Sequence, residues 1–233
     1  MGVEVKYYPG NSNRLSENDF LTGPILKFAE IIKSYTQNYA TGVEEKFDVP
    51  YFYNERATLS VLAGGIWRAD PDNLVIEEYS TLKDKEDGPF KGRRDIWFLS
   101  GGVECRAEAK QRFRDLGSFT KSNAEKLVNL VLDEAKPTHI TSSRDKEYKQ
   151  VGILFIIPKI KADNNSYQTL SGKYDALITE VLAAAAEASK GHFLRASYWD
   201  ESIVEKKHHY FDSKGIKYYY PGVDTIFCLK GSS

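Results

Sequence analysis

Apolar side chains recur along this chain in two rhythms. A return every three to four residues marks one face of a helix, while alternation or an unbroken run marks a strand. Ile25, Phe28, Ile32, Tyr35 and Tyr39 keep the helical spacing and predict a first helix over about 24–39. Pro24 suits its first position, where a missing N–H costs nothing. Phe52, Leu59, Leu62, Ala63 and Ile66 predict a second helix over about 51–67. Residues 73–80 read as a strand and 81–92 as a charged loop. Two strands follow, 93–99 and 103–110, joined by Ser100-Gly101-Gly102. Ser122 and Glu125 have capping-box spacing. They open a helix whose Ala124, Leu127, Val128, Val131 and Ala135 face inward, and Pro137 stops it. Val151–Ile157 is apolar throughout, the mark of a strand covered on both faces. A helix over 168–190, ended by Gly191, precedes strands over 192–199 and 218–229. Glu4 stands in a short β-like stretch.

From the second helix onward the order is α-β-β-β-α-β, then α-β-β. It predicts one α/β domain over 1–233, a mixed sheet flanked by helices. The core spans about 50–158; the helix at 24–39 and the αββ segment at 168–229 are additions. The step from the 103–110 strand to Val151–Ile157 should cross over right-handedly. The Ala124–Val131 helix face is expected to pack on Cys105, Ala107 and Ala109.

Side chains alternate across a strand. Val103, Cys105, Ala107 and Ala109 therefore share one face, and Glu104, Arg106, Glu108 and Lys110 the other. A solvated surface would account for such a strand. Asp95, opening the neighbouring strand, changes that reading. One carboxylate there, with Glu-x-Lys on the partner strand, can set two acids and an ammonium around a divalent ion. As a string, Asp/Glu-x-Lys means little in a chain that is 28% charged. It also occurs at Glu4, Glu44, Glu134, Glu147, Glu205 and Asp212. Only Glu108 ends a β-patterned run, follows a second such run bearing an acid, and precedes a helix.

Asp95 with Glu108-Ala109-Lys110 resembles the PD-(D/E)xK nucleases, the restriction-endonuclease-like superfamily. The likeness covers roughly Pro50 to Pro158, and the element order matches that family's core. The family's Pro-Asp pair reads Arg94-Asp95 here, a departure expected to carry no chemistry. The resemblance implies hydrolysis of phosphodiester bonds, most often in DNA, with Mg²⁺ or Mn²⁺. Asp95, Glu108 and the carbonyl of Ala109 would hold the ion, and Lys110 would orient water or stabilise the transition state. Both Glu108 and Lys110 lie on the predicted charged face, so substitutions there should spare stability. Glu55 interrupts the apolar stripe of the second helix, and many members of the family carry an acid on that helix reaching the metal site. A favourable first-turn charge would also place a Glu there.

Arg93 and Arg94 before the site, Arg106 within the strand, and Arg112 and Arg114 after it would give phosphate contacts. Glu104 and Arg106 would equally form an ion pair. One of Glu77 and Glu78 must share the side of Asp95. Lys206-Lys207-His208-His209-Tyr210 is basic and aromatic, but adjacent histidines do not have metal-ligand spacing.

Composition narrows these readings rather than adding to them. A net charge of −1 gives no global pull on nucleic acid, so a nuclease here needs a local basic patch. Two cysteines, Cys105 and Cys228, offer neither a zinc site nor a disulfide framework. They fit small core residues in a reducing cytoplasm. No apolar segment suits a membrane span. Specificity would come from loops, a homodimer or a partner subunit. A non-catalytic nucleic-acid-binding or protein-interaction module on the same fold is the alternative; strand form, cleavage specificity and pathway are not legible.

Overall fold

The apolar run after Lys149 builds the middle of the molecule. In the computed structural model this strand, β5 (Lys149–Lys161), sends Val151, Ile153, Phe155 and Ile157 into one core cluster and Leu154, Ile156 and Ile160 into another. The structure describes residues 2–8, 19–38, 49–83, 90–115, 121–134, 148–162, 167–189, 193–200, 202–205, 210–211 and 213–230. The basic His208-His209 segment lies outside these residues, as do the side chain of Ser122 and the centre of the loop before Phe90.

The elements preceding β5 are β1 (Gly2–Tyr8), α1 (Asp19–Asn38), α2 (Pro50–Tyr53), α3 (Glu55–Ala69), β2 (Leu74–Lys83), β3 (Phe90–Ser100), β4 (Val103–Asp115) and α4 (Lys121–Glu134). After it come α5 (Tyr167–Ala188), β6 (Phe193–Trp199), α6 (Ser202–Glu205), β7 (Tyr210–Phe211), β8 (Lys217–Tyr219) and β9 (Gly222–Lys230). The strands lie in the order β1–β6–β9–β5–β4–β3–β2. β4 and β5 are parallel, and the other neighbours in this row are antiparallel. β7 and β8 form a small hairpin joined to the end of β5. The chain is thus an α/β protein with a mixed open sheet flanked by helices. No helix among the described residues is long and apolar enough to cross a membrane.

α1 and α3 cover one face of the sheet, α4 and α5 the other. α1 and α3 meet so closely at Gly65 that a Cβ there would lie 2.7 Å from the Phe28 nitrogen and the Pro24 oxygen. Cys105, Ala107 and Ala109 belong to the α1/α3 side, so the expectation that α4 packs on them is corrected. Ala124, Leu127, Val128 and Val131 of α4 meet Leu154 and Ile156 instead. β5, apolar on both faces, offers α4 a surface that the charged face of β4 does not. Both cysteines are buried, and burial pushes their thiols up.

Several element boundaries also differ: β3 begins at Phe90 and β4 runs on to Asp115, both longer than expected. Pro24 sits inside α1 rather than at its start. A proline cannot donate to the carbonyl four residues back; the Ser100 hydroxyl donates to that oxygen, on Phe20, at 2.6 Å. The predicted second helix is broken at Asn54, whose side chain caps α3 by accepting from the Ala57 N–H at 3.0 Å. The predicted strand at 218–229 is two, β8 and β9, and β1 is a full edge strand paired with β6.

Candidate functional site

The β3–β4 ladder runs from Ser100↔Val103 to Ile96↔Ala107. Beyond it the carboxylates of two other residues take hydrogen bonds from β4. The Asp95 carboxylate accepts from the Ala109 N–H at 2.7 Å, and that of Glu55 accepts from the Gln111 N–H at 2.8 Å. N–H groups two residues apart on a strand are about 6.7 Å apart. Asp95, opening the split in the sheet, and Glu55, in the first turn of α3, are thereby brought to one side of the same short stretch. The Lys110 ammonium stands 3.9 Å from Glu55. Gln111 anchors α2 and α3 beneath them: its amide accepts from Thr58 Oγ1 at 2.5 Å and donates to the Tyr51 carbonyl at 3.0 Å.

Glu108 is placed differently. Its carboxylate is 3.0 Å from the Arg94 guanidinium, with the two side chains only 3% and 2% exposed. Its register partner on β5 is Gly152. A Cβ at Gly152 would lie 3.3 Å from Val131, so the missing side chain lets α4 close over this part of the sheet. Two expectations are corrected here. Arg94 does not rim the site as a phosphate contact, and its place before Asp95 is not chemically idle. It is the buried counter-charge of Glu108.

Asp95 and Glu55 line a cleft of about 530 Å³ with Arg56, Leu59, Ser60, Glu77, Glu78 and Arg93. Both acids of β2 reach it. The Ser60 hydroxyl donates to Glu77 at 2.8 Å. Glu78, at φ 52°, pairs with Arg56 at 2.6 Å and Arg93 at 3.2 Å. A left-handed backbone is uncommon outside glycine, and two arginines on one carboxylate help to hold it. Arg93 thus stands at the cleft with Glu78 as its partner. Arg106 pairs with Glu104 at 3.2 Å and lies over the Tyr148 ring at 3.9 Å, the ion-pair reading of those two residues. The sequence reading missed Arg56, Ser60 and the side chain of Gln111. A polar stripe, Asn54, Glu55 and Thr58, at the start of an otherwise apolar helix was the available signal.

Burial raises the Glu55 pKa above the usual carboxyl value, and nearby Asp95 adds to the rise; the Gln111 N–H, Lys110 and Arg112 oppose it. A carboxyl with a raised folded-state pKa lends stability while protonated and loses it as pH rises through that value. Glu55→Gln keeps an oxygen acceptor for the Gln111 N–H and removes the titration. Its melting temperature should exceed that of the wild type near neutral pH and approach it in acid, below the ordinary Glu pKa. A difference that stays constant across a pH series of melts would refute this.

Hard oxygen donors and a solvent-open cleft suit Mg²⁺ or Mn²⁺, which one or two carboxylates plus water can hold. Asp95 and Glu55 fit that requirement; Glu108 fits only if Arg94 withdraws. Among the described residues, no cluster of three or more His, Cys, Asp and Glu side chains has the geometry of a metal site. Comparison with family models, curated proteins and solved structures found no match to this chain.

Proposed function

We propose that this chain is a divalent-metal-dependent phosphodiester hydrolase acting on nucleic acid, with a restriction-endonuclease-like core in the segment from α3 to β5. The observation that carries the reading is the gathering of Asp95, Glu55, Glu108 and Lys110 about the four residues Glu108–Gln111 of β4. The α3-β2-β3-β4-α4-β5 order, with α3 and α4 on opposite faces and β4 parallel to β5, supports it. Asp95 and Glu55 would hold Mg²⁺ or Mn²⁺, and the Ala109 carbonyl adds a donor by resemblance. The ion's chemistry would be polarisation of a phosphoryl oxygen and a lowered pKa for the attacking water. Lys110 would orient that water or stabilise charge on the phosphate, while Arg93, Arg112 and Arg114 hold the substrate backbone. A homodimer or partner subunit would supply specificity.

The Arg94–Glu108 pair favours a second reading, a non-catalytic binding module. A guanidinium already neutralises one acid of the motif, and both remaining carboxylates already accept β4 N–H groups. Incubation with single-stranded, duplex and supercoiled DNA and with RNA separates the two. The hydrolase should cleave at least one in Mg²⁺ or Mn²⁺ and stop on chelation. Folded protein that cleaves none of them is the module.

A further inference from the structure

Next to the carboxylates, on the side of α2, lies an aromatic surface. Phe52 stacks on Tyr210 with centroids 3.7 Å apart. Tyr220 lies edge-on to Tyr210 at 5.7 Å and to Phe113 at 5.6 Å, and Tyr53 edge-on to Phe52 at 5.6 Å. The inner members are fixed: the Tyr210 hydroxyl accepts from the Val49 N–H at 3.1 Å, and Tyr220 is buried. The outer members are exposed. Tyr53 is 57% exposed and Phe113 38%. Phe113 is two residues after Gln111, whose N–H donates to the Glu55 carboxylate of the cleft. Tyr53 lines a neighbouring groove with Ile31, Tyr35 and Ala57, and Ser60 is common to that groove and the cleft.

Three cations of β4 alternate with Gln111 and Phe113, and two of them, Lys110 and Arg112, act on Glu55 where it meets the Gln111 N–H. Lys110, Arg112 and Arg114 occupy alternate positions of β4, about 6.7 Å apart, a spacing comparable to the phosphate repeat of an extended strand. The Arg114 Nε is buried with no hydrogen-bond partner. Burial and the neighbouring Arg112 both disfavour the charge of Arg114, a conflict that an anion would relieve.

We propose that this surface binds single-stranded nucleic acid beside the cleft, with bases stacked on Tyr53 and Phe113 and phosphates along Lys110, Arg112 and Arg114. The proposal rests on the reading of the cleft as a nucleic-acid site. Positive charge alone would serve any nucleic acid. The exposed rings distinguish the strand form, because base faces are available to aromatic side chains only when they are not stacked in a duplex.

The test is binding by fluorescence anisotropy, with the full chain in chelator so that metal-dependent cleavage is silent. The probes are one labelled oligonucleotide, single-stranded and in duplex. The single strand should bind more tightly. Phe113→Ala and, on a ring exposed enough to spare folding, Tyr53→Ala should each weaken single-strand binding about tenfold. Arg112→Gln should lower the slope of log K against log salt by about 0.7, one phosphate contact. Duplex binding as tight as single-strand binding, unchanged affinity in both aromatic variants, or no binding to either probe overturns the proposal. Cleavage of duplex unaffected by these variants would overturn it and leave the hydrolase reading standing. Single-strand binding without cleavage in Mg²⁺ or Mn²⁺ would leave it standing and remove the hydrolase.

Discussion

Glu108→Ala is expected to destabilise the protein by about 3–5 kcal/mol, the cost of removing one member of a buried ion pair. Arg94, only 2% exposed, would then keep its charge without the carboxylate it faces at 3.0 Å. Replacing both residues together with Leu should be far milder, because no uncompensated charge remains. Denaturant unfolding of the two variants measures the difference. A loss below about 1 kcal/mol from Glu108→Ala would mean that water reaches the pair and that it behaves as an exposed one. This inverts the expectation from strand alternation alone, which put Glu108 on a solvated face where substitution spares stability.

Lys110→Ala should slow nucleic-acid cleavage by roughly 10²–10³, the usual effect of losing one preorganised charge-stabilising donor. Its melting temperature should fall far less than that of Glu108→Ala, since its ammonium stands 3.9 Å from Glu55 whereas Glu108 is in a 3.0 Å buried pair. Cleavage rate and melting temperature must be measured on the same preparation. A large fall in stability with activity per folded molecule preserved would make Lys110 a structural residue and remove the hydrolase reading.

The sheet was legible where burial is two-sided or periodic. Val151–Ile157 read as a covered strand, and the stripes of α1 and α4 reported their inner faces at Ile25, Phe28, Ile32, Ala124, Leu127, Val128 and Val131, though Tyr35 of the same α1 stripe is exposed. Besides the surface on which α4 packs, what failed was local and polar. Nothing in the apolar pattern of residues 51–67 registers that Asn54 caps a new helix, and no periodicity shows that Ser100 substitutes for the N–H that Pro24 lacks. The four residues of the expected set are neighbours: Asp95 and Glu55 accept N–H groups from the β4 stretch that carries Glu108 and Lys110. Their pairing was not legible. Which acid meets Lys110 and which meets Arg94 depends on where the β3–β4 ladder ends and on how closely α4 settles over Gly152. Both are tertiary facts that single-strand alternation does not carry.

The position of β9 bears on how the chain reaches this state. It is the last strand of the sheet to be synthesised, yet it lies between β5 and β6, near the centre. Until it arrives, β5 has one unpaired edge, and β1 and β6 cannot join the strands that bear the candidate site. Such a long-range closure is slow to form, and an open, apolar edge invites association with other chains in the meantime. The half of the sheet from β2 to β5 can assemble first from neighbouring segments. Refolding should therefore show an early phase that builds the carboxylate-bearing half and a later one, prone to aggregation at high protein concentration, in which β9 seals the sheet.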